Sequence, residues 1–407
     1  MTEKLYDLDA YAKAFRAKVL SCEPAQKPAR SEGEEPEKAF RTELDRTLFF
    51  PESGGQTPDR GSLVVQTESG MRKIAVRDVQ IAGDRIFHYT DEALPEGAQV
   101  LGEIDWAHRF DNMQQHSGEH IFSGLVHSTF GYDNVGFHLS DNGVTLDFSG
   151  PLSEEDLRGI ERRANRAIYD NLVIVISFPS PEELAGITYR SKKEIEGQMR
   201  LVTVPGIDVC ACCAPHVHRT GEIGILKVVA SQNYKGGTRV NILCGGRALD
   251  CFDADHALVV QTAEHFSTSA DRIPERIAHL EAELAERKAE LAEARFQLIC
   301  AEAEQIPAEQ HSVILFREEM PQEQMRHLVN ALTAAHDGYC GVFAGNEAEG
   351  YRFIISIREG DARIALDKIK TVTQARGGGS PQMVQGLVSG GCGEAIRALW
   401  EEFQSRG

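Results

Sequence analysis

The chain has 407 residues, which at ~150 residues per domain suggests two or three domains and a sizeable core. Lys and Arg number 43 against 62 Asp and Glu, a net charge of −19. A surface that acidic repels polyanions on average, which excludes a general DNA-coating role and restricts any nucleic-acid contact to a local basic patch. The opening stretch MTEKLYDLDAYAKAF is charged throughout and has no apolar core of a signal peptide. The longest clean apolar run, Leu172 to Phe178, is a strand's length, so no membrane span is expected. Nine cysteines, an odd number, point to free thiols or metal ligands in a reducing cytoplasm rather than to a disulfide framework.

The pattern predicts an α+β protein. Residues 16–22 and 41–50, then SLVVQTE, RKIAVRDVQIAG, RIFHYTD and QVLGEIDW, read as short strands with Gly, Asp and Pro between them. They predict a small β-barrel over 1–104. From Asp111 the period changes. Met113, Ile121, Phe122, Leu125 and Val126 fall at helical spacing, and Gly131 stops the run. VTLDF reads as a strand, and SEEDLRGIERRANRAIYDN as a helix with Ser153 three residues before Asp156. LVIVISF reads as a buried strand, and 200–248 as strands and turns. Together 105–250 forms a second, α+β domain. Over 256–305 the chain turns Ala/Glu/Leu/Arg-rich. Ile277, Leu280, Leu284, Leu291, Ala294 and Leu298 keep 3/4 spacing, interrupted by Arg287. A coiled-coil or helical-hairpin linker and an amphipathic helix on its own domain both fit that stretch. After Pro307 a compact α/β domain occupies 306–407, with a glycine-rich GGGSPQMVQG.

His116 and His120 stand four apart on the predicted helix, which puts both imidazoles on one face. About ninety residues on, Cys212 and His216 repeat the spacing, beside Cys210, Cys213 and His218. His116, His120, Cys212 and His216 would complete a tetrahedral site for one zinc ion per chain. That zinc could be purely architectural. HSGEH also has the H-x-x-E-H form of inverted zinc peptidases, with Glu119 as general base and Glu196 as a third ligand. That reading leaves the Cys-rich segment without a task.

Five stretches in one order carry a resemblance: FFPESGGQTPDRGSL, QQHSGEHIFSGLVHSTFG, VTLDFSG, CCAPHVHRTGEIG and GGGSPQMVQG. They resemble the alanyl-tRNA editing proteins, freestanding relatives of the editing and C-terminal parts of alanyl-tRNA synthetase. The resemblance spans most of the chain, and no aminoacylation core fits in the remainder. It maps the family's zinc ligands onto His116, His120, Cys212 and His216. It maps its glycine element, placed in substrate or tRNA binding, onto Gly54, Gly55, Gln56, Asp59 and Gly61. A tight hairpin turn would use the same glycines. The chain departs from the pattern at Glu119, where the synthetase-type site has Thr, and at Cys213 and Pro215, where it has Gly and Thr. Asp253-Ala-Asp255-His256 is not the Asp-His-His motif of phosphoesterases that share the C-terminal domain.

The resemblance implies a hydrolase of Ser-tRNA(Ala), with Gly-tRNA(Ala) as a second substrate, acting on the tRNA acceptor end. Serine exceeds alanine by one hydroxyl, so the site must hydrogen-bond that hydroxyl instead of sieving by size. Candidates for the pocket wall are Gln115, Glu119, His138 and Thr145, with Glu119 also a candidate general base. Zinc would polarise the ester, deliver water or only position the substrate. A non-catalytic, zinc-stapled tRNA-binding protein is the alternative outside enzymes. Phosphate contacts are expected from Arg190, Lys192 and Lys193 and from a loop at Gly377, Gly378 and Gly379. Arg158, Arg162, Arg163 and Arg166 recur at helical spacing, either as a phosphate track or as a solvated face paired with Glu154, Glu155 and Glu161. A homodimer through the coiled coil or the C-terminal domain is among the implied assemblies.

Overall fold

The computed structural model describes residues 2–27, 37–68, 70–141, 143–191 and 199–404. The chain divides into two compact units, Met1–Gln261 and Thr262–Gly407.

The first unit opens with six strands: β1 (Ala14–Gln26), β2 (Lys38–Leu44), β3 (Gly61–Thr67), β4 (Gly70–Ala82), β5 (Arg85–Thr90) and β6 (Gln99–Ile104). They close into a barrel in the order β1-β2-β5-β4-β3-β6, every pair antiparallel. Strict alternation drives the closure. Phe15, Ala17 and Val19 point inward while Ala14, Arg16 and Lys18 stay in solvent. Tyr6, Phe49, Phe50, Leu63, Ile74, Ile86 and Val100 fill the same core. Gly102 faces the ring of Phe15, whose Cε1 would lie 2.2 Å from an added Cβ, so the barrel wall needs glycine there.

Helix α1 (Trp106–Phe130) follows directly. It begins five residues before the expected change of period, because Asp105 accepts from the His108 amide as N-cap, and Gly131 closes it at φ 72°. α1 packs on one face of an antiparallel sheet made of β7 (Asn134–Ser140), β8 (Gly143–Phe148), β12 (Leu226–Tyr234) and β13 (Gly237–Cys244), ordered β12-β13-β8-β7. Helix α2 (Glu154–Tyr169) carries the expected Ser153–Asp156 capping box and buries Leu157, Ile160 and Ile168. A small sheet of β9 (Val175–Ser177), β10 (Leu201–Val204) and β11 (Asp208–Ala211) leads into the Cys-rich loop. The buried strand expected over 172–178 is not found. β9 is the edge of its sheet, and Val173, Val175 and Phe178 are exposed, with only Ile174 buried. An apolar run gives no sign of which edge it will occupy.

Helix α3 (Gly245–His265) reaches the boundary between the units. The second unit holds α4 (Ile273–Glu304), a helix of 32 residues on which Ile277, Leu284, Leu291 and Leu298 are exposed. Its sheet contains β14 (Val313–Arg317), β15 (Cys340–Asn346), β16 (Gly350–Ser356), β17 (Arg376–Gly379) and β18 (Met383–Val388), in the order β14-β15-β16-β18-β17. Helix α5 (Gln322–Ala335) and the end of α4 cover one face; α6 (Ala362–Val372) and α7 (Gly393–Gln404) cover the other. Val342 packs to one side and its neighbour Phe343 to the other. Gly377, Gly378 and Gly379 are not the expected loop. They form the exposed edge strand β17, paired with β18. Gly377 and Gly379 are required because an added Cβ would lie 2.4 Å from Gln385 O and 2.1 Å from Met383 O.

Candidate metal centre and active-site cavity

The two half-motifs meet. Ligand atoms of His116, His120, Cys212 and His216 lie within 4.8 Å of one another. The histidines are almost fully buried, at 3%, 2% and 0% exposure. Cys212 Sγ stands 3.5 Å from His116 Nε2 and 3.4 Å from His216 Nε2. Ligands at Zn–N ≈ 2.0–2.1 Å and Zn–S ≈ 2.3 Å in tetrahedral array would be separated by ~3.5 Å. The two Cys212 distances match that separation, so these four residues could hold a metal ion.

The surrounding hydrogen bonds test the fit independently. His116 Nδ1–H donates to Gln56 Oε1 at 2.7 Å, and His120 Nδ1–H to Asp208 Oδ2 at 3.1 Å. Neither oxygen can donate, so both rings carry the proton on Nδ1 and turn Nε2 to the centre. His216 Nδ1 meets Ser117 Oγ at 3.0 Å, and the same hydroxyl accepts the Val217 amide at 3.2 Å, which pins the Cys-rich loop to α1. The buried donors and their partners fit a divalent metal.

Electrostatics favour the ligand form of Cys212 and His216. Burial pushes the Cys212 thiol up, but His116 and His216 outweigh it and hold the thiol well below its usual range. Burial carries His216 down to about 3. Both groups therefore sit in ligand form at neutral pH. Burial also works against His120, yet the bond to Asp208 and the neighbouring Cys212 lift it well above an ordinary histidine. Burial raises Asp208, and His120 and Arg190 bring it below the usual carboxylate range.

Helix α1 packs closely on neighbouring strands because of its glycines. A Cβ on Gly118 would lie 2.3 Å from Cys244 Sγ, and one on Gly124 2.7 Å from both Asp208 Cβ and Ile207 O. Interior helix glycine costs ~1 kcal/mol relative to Ala; here it permits contact with β13 and with the start of β11.

A cavity of about 480 Å³ opens on the cluster, lined by His116, His120, Cys212, Gly54, Gly55 and Phe137 among others. Gly54 and Gly55 adopt φ +61° and +84°, and a Cβ on Gly55 would lie 2.5 Å from Phe137 O. Gly55 O accepts the Leu139 amide at 2.7 Å. The glycine turn thus lies against β7 and hands Gln56 to His116.

Other expected site residues fall elsewhere. Asp59 is fully buried, its carboxylate bound by Arg109 Nε at 3.0 Å, by Arg109 Nη2, and by the Phe50 amide at 2.6 Å. It is an internal strut and not a substrate contact. Gln115 is likewise consumed, donating to Asp111 and Cys244 O and accepting the Cys244 amide. His138 and Thr145 pair across β7 and β8 on the face opposite the buried Leu139, Val144 and Leu146, so they face away from α1. Glu119 is buried beside the cluster. Its Oε1 accepts from Ser123 and Asn134, and its Oε2 lies 3.8 Å from His120 Nε2. Arg190 is bound to Asp208 and is not a free phosphate contact. Lys192, Lys193 and Glu196 lie outside the described residues. On α2, Arg158 pairs with Glu154, Arg166 with Asp170, and Arg163 donates to Thr129. Sequence reasoning missed Asp208, Ser117 and Asn134. Only the fourfold step from Asp208 to Cys212 hinted at the first of these.

Part of this site, the segment that carries Cys212 and His216, is similar to a domain of aminoacyl-tRNA synthetases. The family described as "Threonyl and Alanyl tRNA synthetase second additional domain" matches residues 199–241. The chain is similar to alanyl-tRNA editing proteins. It is 30% identical to Alanyl-tRNA editing protein Aarsd1 of Mus musculus over 61% of this chain and 60% of that protein. It is 30% identical to Alanyl-tRNA editing protein AlaX-L of Pyrococcus horikoshii over 61% of this chain and 59% of that protein. It is 31% identical to an alanine–tRNA ligase of Ignicoccus hospitalis over 70% of this chain and 30% of that enzyme. The match therefore spans about three fifths of the length of the editing proteins. Among the described residues no helix is long and apolar enough to cross a membrane.

Proposed function

We propose that the protein deacylates mischarged tRNA(Ala), chiefly Ser-tRNA(Ala), with Gly-tRNA(Ala) as a second substrate. The carrying observation is the four-donor cluster His116, His120, Cys212 and His216 at a cavity whose rim is the Gly54–Gly55 turn. At about 480 Å³ the cavity lies in the ~300–1,000 Å³ range of small-ligand sites. We read 1–104 as a barrel domain, 105–250 as the editing domain, 256–305 as a helical or coiled-coil linker, and 306–407 as the C-terminal domain.

The four donors would hold one zinc ion. Bound there, zinc supplies a fixed Lewis-acidic charge, and four protein ligands suit it to orienting the aminoacyl-adenosine end. Gln56, Asp208 and Ser117 hold the three imidazoles in register. Gly54 and Gly55 present bare backbone to the incoming ribose. Reading the serine hydroxyl falls to polar groups that line the cavity, namely Ser53, Ser191, Cys210 and Cys213. Leaving such groups unpaired against alanine separates it from serine, as no size filter can. Cys212 and His216 complete the cluster, a role the inverted-peptidase scheme does not provide for them. The basic residues of α2 and Lys192 and Lys193 are the tRNA contacts this reading retains.

The test is deacylation of Ser-tRNA(Ala), Gly-tRNA(Ala), Ala-tRNA(Ala) and Thr-tRNA(Thr) by zinc-loaded protein. Release of serine with Ala-tRNA(Ala) left largely intact is expected. Cys212→Ala should lower both the metal content, from about one zinc per chain, and the rate. Equal hydrolysis of the seryl and alanyl forms would overturn the proposal, and tRNA binding without deacylation would favour a tRNA-carrying protein.

A further inference from the structure

Three histidines face the cluster, and they are not held alike. His116 rests on the neutral Gln56 and His216 on the neutral Ser117, but His120 rests on a carboxylate. That carboxylate is itself gripped. Arg190 Nε donates to Asp208 Oδ1 at 2.7 Å and Arg190 Nη2 to Oδ2 at 2.8 Å, a fork with both oxygens engaged. The Asp208 side chain is 2% exposed and that of Arg190 13%.

The backbone fixes both ends of this chain of contacts. The Arg190 amide donates to Val209 O at 2.8 Å, and the Ala211 amide donates to Arg190 O at 2.9 Å. Residue 190 is thus bridged to Cys210, in the strand that leads into ligand Cys212. On the other side Gly124, one turn beyond His120, leaves room for Asp208 and the Ile207 carbonyl. Its missing Cβ would sit 2.7 Å from Asp208 Cβ. A bidentate fork locks the plane of a carboxylate, and a locked carboxylate fixes the ring that donates to it. Arg190 also cancels the buried charge of Asp208, so the centre gains orientation without gaining net charge.

We infer that Arg190 and Asp208 are positioning residues, a relay from guanidinium to carboxylate to His120 that aims Nε2 at the metal position. The inference rests on the four-donor reading of the cluster. It removes Arg190 from the tRNA contacts.

The experiment uses the full chain and the variants Asp208→Asn, Arg190→Met and Arg190→Lys. Zinc affinity is measured by competition with a chromophoric chelator. The visible spectrum of the cobalt(II)-substituted protein reports ligand geometry, and tRNA binding is followed against salt. Asp208→Asn should weaken zinc ~10–100-fold and shift the cobalt bands. Arg190→Met should do the same to a smaller degree, and Arg190→Lys should recover part of the loss. The salt slope of tRNA binding should not change in Arg190→Met. Wild-type zinc affinity and cobalt spectrum in folded Asp208→Asn and Arg190→Met would overturn the relay. So would a salt slope reduced by ~0.7–0.9 in Arg190→Met with zinc unaffected, the signature of one lost phosphate contact. If Asp208→Asn does not fold, the Arg190 pair decides: retention by Lys of what Met loses supports the relay, and equal effects refute it. Zinc affinity and cobalt spectra need no tRNA, so a failure of deacylation would strike the functional proposal and leave this one standing.

Discussion

Replacing Asp59 by Asn separates two roles that the glycine-rich element could give this residue. The carboxylate and Arg109 are both 0% exposed. Arg109 Nε lies 3.0 Å from each Asp59 oxygen, while Arg109 Nη1 and Nη2 also donate to Ala10 O and Leu48 O, at 3.0 and 2.5 Å. The Asp59 carboxylate further accepts the Phe50 amide at 2.6 Å. One guanidinium on α1 thus ties the helix that bears His116 and His120 to the segments flanking the barrel. The Asn variant keeps the shape and removes the charge, leaving a buried cation with two carbonyls and no counterion. Breaking such a pair costs ~3–5 kcal/mol. For a folding unit of this size, 1 kcal/mol shifts Tm by ~2–4 °C, so a fall of roughly 6–20 °C is expected in a thermal scan of the metal-free protein. An isosteric Asp59→Asn protein that melts within ~2 °C of wild type yet binds tRNA poorly would refute the strut argument and return Asp59 to the substrate.

His88 gives a pH-dependent counterpart. It is completely buried in the barrel, with Thr47 Oγ1 at 2.8 Å and Thr42 O at 3.2 Å, and burial pushes it down to about 4. With the folded value below the unfolded ~6.5, the unfolded chain binds more protons between them, so its contribution is fully present above pH 6.5 and is lost as pH falls toward 4, by ~3 kcal/mol. Unfolding free energies of wild type and His88→Leu, taken from urea titrations at successive pH values, should diverge by this total, ~3 kcal/mol, across that window; parallel pH profiles would contradict it. Gly55→Ala puts a Cβ against Phe137 O in a left-handed conformation, displacing Gln56 from His116, and should lower deacylation roughly tenfold or more; an unimpaired rate would show that the turn does not set the site. His138→Ala and Thr145→Ala, on the outer sheet face, should leave kcat/KM within about twofold, as surface changes do; a large loss in either would restore it to the pocket.

Much of this protein was legible one-dimensionally, for reasons that are local. Four-residue spacing on a helix puts His116 and His120 on one face whatever surrounds them, and short strands punctuated by Gly, Asp and Pro announce a barrel. Ser153 and Asp156 cap a helix through bonds three residues apart. The closing of two half-motifs into one cluster was readable because the donor types left few other uses for Cys212 and His216. What failed depended on contacts between distant segments. Gln115 looks like a pocket residue until β13 takes its amide, and Asp59 looks like a ligand contact until Arg109, fifty positions on, meets it in the core. His138 and Thr145 carry suitable chemistry, but only sheet packing decides which face of a strand meets α1. Arg190 sits beside lysines as a phosphate ligand would, and the tertiary structure turns it inward to Asp208 instead. Local periodicity determines which element forms and which residues share its face; which partner that face meets is set by packing, where one buried charge must find another.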